Sequence, residues 1–106
     1  MTKEEELFTA IGLKVDGSAK SQMFGKPCFK VGGKAYVSFF QDEMVFKLEG
    51  DAHKAALSLD GAQLFNSSGK GRPMKEWVQV PYSDHEQWSS LAVAARAYVY
   101  TLNNGK

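Results

Sequence analysis

Pro27-Cys28-Phe29-Lys30-Val31-Gly32-Gly33-Lys34-Ala35-Tyr36-Val37-Ser38-Phe39-Phe40-Gln41-Asp42-Glu43-Met44-Val45-Phe46-Lys47-Leu48-Glu49 is the stretch on which the fold turns. Period-two patterning with aromatic and β-branched residues runs over 28–31, 34–41 and 44–49, which marks three strands. The runs are separated by Gly32-Gly33 and by Asp42-Glu43, so the stretch predicts a three-stranded antiparallel meander. Both glycines accept positive φ, as a two-residue hairpin requires, and the turn sets Val31 opposite Lys34 and Phe29 opposite Tyr36. In that register one face carries Cys28, Ala35, Val37, Phe39, Met44, Phe46 and Leu48 and is the expected core side. The other face is mixed: Phe29, Val31, Tyr36, Ser38, Phe40, Val45 and Lys47.

Upstream, Thr2 with Glu5 has the form of a capping box, and Glu4-Glu5-Glu6 suit the positive end of a helix dipole. Leu7, Phe8 and Ile11 share one stripe of that helix, and Gly12 is its expected terminator. The polar segment 14–22, with Gly17, Ser18 and Ser21, is expected to be a connection. Downstream, Asp51 is the expected cap of a short helix over 51–59, with Ala52, Ala55, Ala56 and Leu59 toward the sheet and Gly61 as its stop. A brief strand over 62–65 leads into Asn66-Ser67-Ser68-Gly69-Lys70-Gly71-Arg72-Pro73, a loop by composition. A strand over 76–80 then alternates Val78 and Val80 against Trp77 and Gln79, and Pro81 ends it. Ser83 with Glu86 forms a second capping box opening the longest helix, in which Trp88, Leu91, Ala92, Ala95, Val99 and Leu102 recur at helical spacing.

The predicted order is therefore α-βββ-α-ββ-α. Strands joined as hairpins, with no repeated βαβ unit, define an α+β domain whose antiparallel sheet of about five strands carries its helices on one side. A length of 106 residues fits one domain. Thirteen basic and twelve acidic side chains give a net charge of +1, so no overall field draws the chain to nucleic acid or an anionic membrane. The lone Cys28 excludes an internal disulfide and suits a reducing, cytoplasmic setting. No apolar stretch nears the roughly 20 residues of a membrane span.

An ordered series of short motifs resembles the TfoX N-terminal domain family: Met23-Phe24-Gly25 before a hairpin, Gly32-Gly33-Lys34, Met44-Val45-Phe46-Lys47, Gly69-Lys70-Gly71-Arg72-Pro73-Met74, and Val80-Pro81. The likeness covers residues 20–102. It implies a small α+β regulatory or interaction module related in shape to YjbR-like and secretion-chaperone-like folds, with no catalytic residues to carry over. The protein that gives the family its name has a second, C-terminal domain, so its role in competence regulation is not carried over.

Chemistry-bearing residues are few. Cys28 would need a neighbouring base such as His53 or His85 to act as a nucleophile, and the register points it into the core. One cysteine and two distant histidines make no zinc set, so no metal is expected. The Gly69-Lys70-Gly71-Arg72 loop, with Lys75 beyond it, is glycine-rich and basic, but it runs into Pro73 and a strand where a phosphate loop needs a lysine and a Ser or Thr at a helix start. Asp16, Asp42, Glu43, Glu49, Asp51 and Asp60 fall at turns or element ends, where carboxylates serve as caps or solvated charges. No cofactor and no enzymatic activity are expected.

The mixed face is the sharper candidate. Phe29, Tyr36, Phe40, Lys47 and Trp77 are expected to share it, either covered by the first helix or the long loop, or open as an association surface for a partner protein or a second copy of the chain. The alternative is nucleic acid, with the rings stacking on bases and Lys26, Lys34, Lys47, Lys70, Arg72 and Lys75 on phosphates.

Overall fold

The computed structural model describes residues 2–23, 26–65 and 74–104. Along the chain these form α1 (Lys3–Lys14), β1 (Ser18–Met23), β2 (Lys26–Val31), β3 (Lys34–Phe40), β4 (Glu43–Lys47), α2 (Gly50–Leu57), β5 (Gln63–Phe65), β6 (Met74–Val80), a 3-10 segment (Tyr82–Gln87) and α3 (Trp88–Asn104). The fold is α+β, and all strand pairs are antiparallel in one six-stranded sheet of order β1-β2-β3-β4-β6-β5. The extra strand relative to expectation is β1. Its polar sequence, Ser-Ala-Lys-Ser-Gln-Met, lacks an apolar alternation because it is an edge strand with little to bury.

All three helices lie on one face of the sheet. Phe8 and Ile11 of α1, Ala56 of α2, and Trp88, Leu91, Ala92, Ala95 and Val99 of α3 share one buried cluster with Phe46, Leu48, Val78 and Val80 of the strands. Thr2 caps α1 as expected, its hydroxyl accepting from Glu5 N–H. The helix does not stop at Gly12, however. Gly12 is buried within it, and a Cβ there would penetrate the Phe29 ring, so the glycine serves close helix-to-sheet approach. Asp51 lies inside the first turn of α2, whose cap is Glu49 without a side-chain bond. Ser83 opens no α-helix, because Asp84, at φ −108° and ψ 25°, interrupts the helical path and α3 begins at Trp88. Leu102, on the expected core stripe, is 46% exposed.

One irregularity re-sorts the faces of the meander. The Gly32-Gly33 hairpin forms with φ of 60° and 86°, and Val31 pairs with Lys34 as expected. Lys30 then pairs with Ala35 while Phe29 pairs with Val37, leaving Tyr36 as an extra residue in β3. This β-bulge shifts the register by one residue. Phe29, Val31 and Tyr36 therefore turn under the helices, whereas Cys28 and Ala35, expected in the core, face the other way. The following turn is Gln41-Asp42, one residue earlier than read, with φ of 51° and 66°. Its two-residue length keeps the expected parity, so Phe39, Met44 and Phe46 remain inside and Phe40 and Val45 outside.

Candidate functional site

The five residues expected to share one face are split by the bulge. Phe29 and Tyr36 are fully buried under the helices: Phe29 meets Phe8 edge-on at 5.2 Å between ring centroids, and Tyr36 donates from its hydroxyl to Ser18 Oγ at 2.7 Å. Burial is the main reason the Tyr36 hydroxyl has a raised pKa, an effect its bond to Ser18 partly offsets. Neither ring is available to a partner. Phe40, Lys47 and Trp77 do lie together on the helix-free face, beside Val45, Phe65 and Ala35.

Much of that face is inaccessible to solvent; α1, expected as one possible cover, lies on the other side of the sheet, and the long loop, 66–73, lies outside the described residues. Val45 is fully buried, Phe65 is 1% exposed, and Phe40 packs edge-on against Phe65 at 5.1 Å. Lys26 Nζ sits 5.1 Å from the Phe40 ring centre and Lys47 Nζ 5.9 Å from that of Trp77, with Lys47 also 3.6 Å from Glu76. Two of the lysines expected on phosphate are thus held over the rings expected to stack on bases. Lys70 and Arg72 lie outside the described residues, and of Lys75 only the backbone, in β6, is described.

Cys28 is buried on this face, opposite Ser38, and burial pushes its thiol pKa up, with Lys30 opposing the shift. His53 and His85 lie across the sheet on the helix side. His85 stacks on Tyr82 at 4.5 Å, and its Nδ1–H donates to the Tyr82 carbonyl at 2.9 Å. No thiolate-base pair is assembled from these groups. Among the described residues no cluster of three or more potential metal ligands occurs.

A second surface is formed by α3 and the end of α1. Among the described residues, the large apolar side chains that stand exposed are Leu13 of α1 and Val93, Tyr100 and Leu102 of α3. Helix α3 carries a single charge, Arg96, in 17 residues. Its exposed positions, Ser89, Ser90, Val93, Ala97, Tyr100, Thr101 and Leu102, are all uncharged. By contrast α1 bears Lys3, Glu4, Glu5, Glu6 and Lys14. Between α1 and α3 runs a cleft of about 260 Å³ lined by Ile11, Lys14, Val15, Asp16, Ser89, Val93 and Arg96. For the exposed face of α3, though not for the cleft, the sequence carries a signal: Val93 and Tyr100, seven residues apart, form an apolar repeat displaced from the core stripe of Trp88, Leu91, Ala92, Ala95 and Val99.

No family model, curated protein or solved structure matches the chain. No helix among the described residues is long and apolar enough to cross a membrane.

Proposed function

We propose that this chain is a non-enzymatic interaction domain that pairs with a second copy of itself through the outer face of α3. The observation carrying this reading is the absence of charge on every exposed residue described along that helix. A solvated helix face ordinarily carries Lys, Glu or Arg, and depletion of charge with enrichment in aromatic and apolar residues is the mark of an interface centre. Self-pairing suits this face. A two-fold axis crossing α3 midway between Val93 and Tyr100 sets Val93 of each copy against Tyr100 of the other. Arg96, the one charge of the helix, lies beside that axis with its guanidinium held by the Asp16 carbonyl and the Tyr100 ring. The resemblance to the TfoX N-terminal domain supports a regulatory or interaction role of this kind, in the cytoplasm.

Sedimentation of the wild-type chain and of Val93→Glu over a range of concentrations tests it. The wild type is expected to approach twice the monomer mass, and Val93→Glu to stay monomeric with an unchanged circular dichroism spectrum. A wild type that remains monomeric throughout would overturn self-pairing.

A further inference from the structure

We infer that the cleft between α1 and α3 is a binding site for a small free monocarboxylate with an apolar tail. Its walls divide by chemistry. Ile11, Val15 and Val93 supply an apolar interior, whereas Lys14 and Arg96 place two cations on its lining. No described carboxylate is ion-paired with either cation. Arg96 is also held in place. Its Nε–H donates to the Asp16 carbonyl at 3.0 Å, and its guanidinium lies 4.8 Å from the Tyr100 ring centre.

That anchoring consumes the Nε edge of the guanidinium. The two terminal Nη groups find no acceptor among the described residues. A guanidinium fixed at one edge presents the paired N–H donors at its end, in the geometry that receives both oxygens of a carboxylate. Asp16, at the rim, is the one carboxylate of the lining and leaves it with a net charge of +1. The volume corresponds to about nine waters at ~30 Å³ each, small for a drug-sized ligand but sufficient for a chain of about eight carbons. The cleft shares Val93 with the pairing face proposed above and Arg96 stacks on that face's Tyr100, whereas Lys14 belongs to the cleft alone.

Octanoate is the probe, followed through the methyl NMR signals of Ile11, Val15 and Val93 on the intact chain, with octanol as the uncharged control. Octanoate is expected to shift these methyls saturably and octanol to bind at least about tenfold more weakly, the size of a charge-assisted bond. Arg96→Gln is expected to weaken octanoate about tenfold and Lys14→Gln a few-fold. Asp16→Asn is expected to tighten it, a gain that a purely structural role for the rim does not give. Lys14 is exposed, so Lys14→Gln and Asp16→Asn decide the matter if Arg96→Gln fails to fold. Equal binding of octanoate and octanol, shifts confined to other methyls, or octanoate affinity unchanged in Lys14→Gln and Asp16→Asn would each overturn the assignment.

Discussion

Gly12 and Phe29 occupy a contact that admits no side chain at position 12: a Cβ built there falls inside the van der Waals envelope of the Phe29 ring. The close seat of α1 on β2 rests on that glycine. It also brings Phe8 between Phe29 and Phe39, each at 5.2 Å between ring centroids.

Gly12→Ala therefore loses stability although alanine is the better helix former. Overpacking costs about 1–3 kcal/mol and outweighs the gain of up to about 1 kcal/mol in helix propensity. Urea denaturation of Gly12→Ala, Phe29→Leu and the double variant checks this. Alanine at 12 is expected to cost less when Phe29 is already Leu, and strict additivity would place the cause outside this contact.

The bulge at Tyr36 separates two phenylalanines that a uniform strand would place together. Phe29→Ala is expected to cost about 3–5 kcal/mol, as for a fully buried ring. Phe40→Ala is expected to cost about 1 kcal/mol, because Phe40 is half-buried and its main ring contact is Phe65. Equal losses in denaturation midpoints would contradict the register found here.

The Gln41-Asp42 turn holds two non-glycine residues at positive φ. A left-handed conformation costs such residues about 1–2 kcal/mol each, and Asn-Gly is the preferred pair for this hairpin geometry. The double substitution Gln41→Asn with Asp42→Gly is expected to raise the urea midpoint at unchanged m-value. An unaltered or lowered midpoint would show that the 3.5 Å bond from Thr2 Oγ1 to Asp42 matters more than the strain.

Tyr98 donates its hydroxyl proton to Glu76, and this bond, with burial and the charges of Glu76 and Glu49, pushes its pKa up to about 12. The folded state thus holds the proton more tightly than the unfolded chain, whose tyrosines titrate near ~10. The contribution is complete below about pH 10 and is lost as pH rises toward 12. The stability of the wild type is expected to fall more steeply between these limits than that of Tyr98→Phe. Parallel profiles for the two proteins would remove the Glu76 bond as the cause.

Much of this architecture is legible in the sequence, and the misreadings have local physical causes. The α+β class follows from period-two runs with two-residue turns, and the alternation of Val78 and Val80 against Trp77 and Gln79 holds because residues 77–80 pair with β4 in unbroken register. The assignments of Phe29, Tyr36 and Cys28 failed together at one extra residue in β3, since alternation carries no mark of where a strand skips. Strand β1 was unreadable for a different reason: an edge strand outside the main cluster has no hydrophobic face to announce it. The cleft was missed because its cations, Lys14 and Arg96, lie far apart in the chain and meet only when α3 packs on α1.

The strand order has a consequence for how the chain reaches this state. Strands β1 to β4 are neighbours in both sequence and space, so their pairing closes short loops, while β6 and α3 must return from a distance. During synthesis the meander can assemble with α1 before α3 has emerged, leaving the core side of β3 and β4 without the helix that packs on them. The slow and vulnerable step in making this protein is then the arrival of its last helix, and conditions that delay it should show as aggregation of nascent chains.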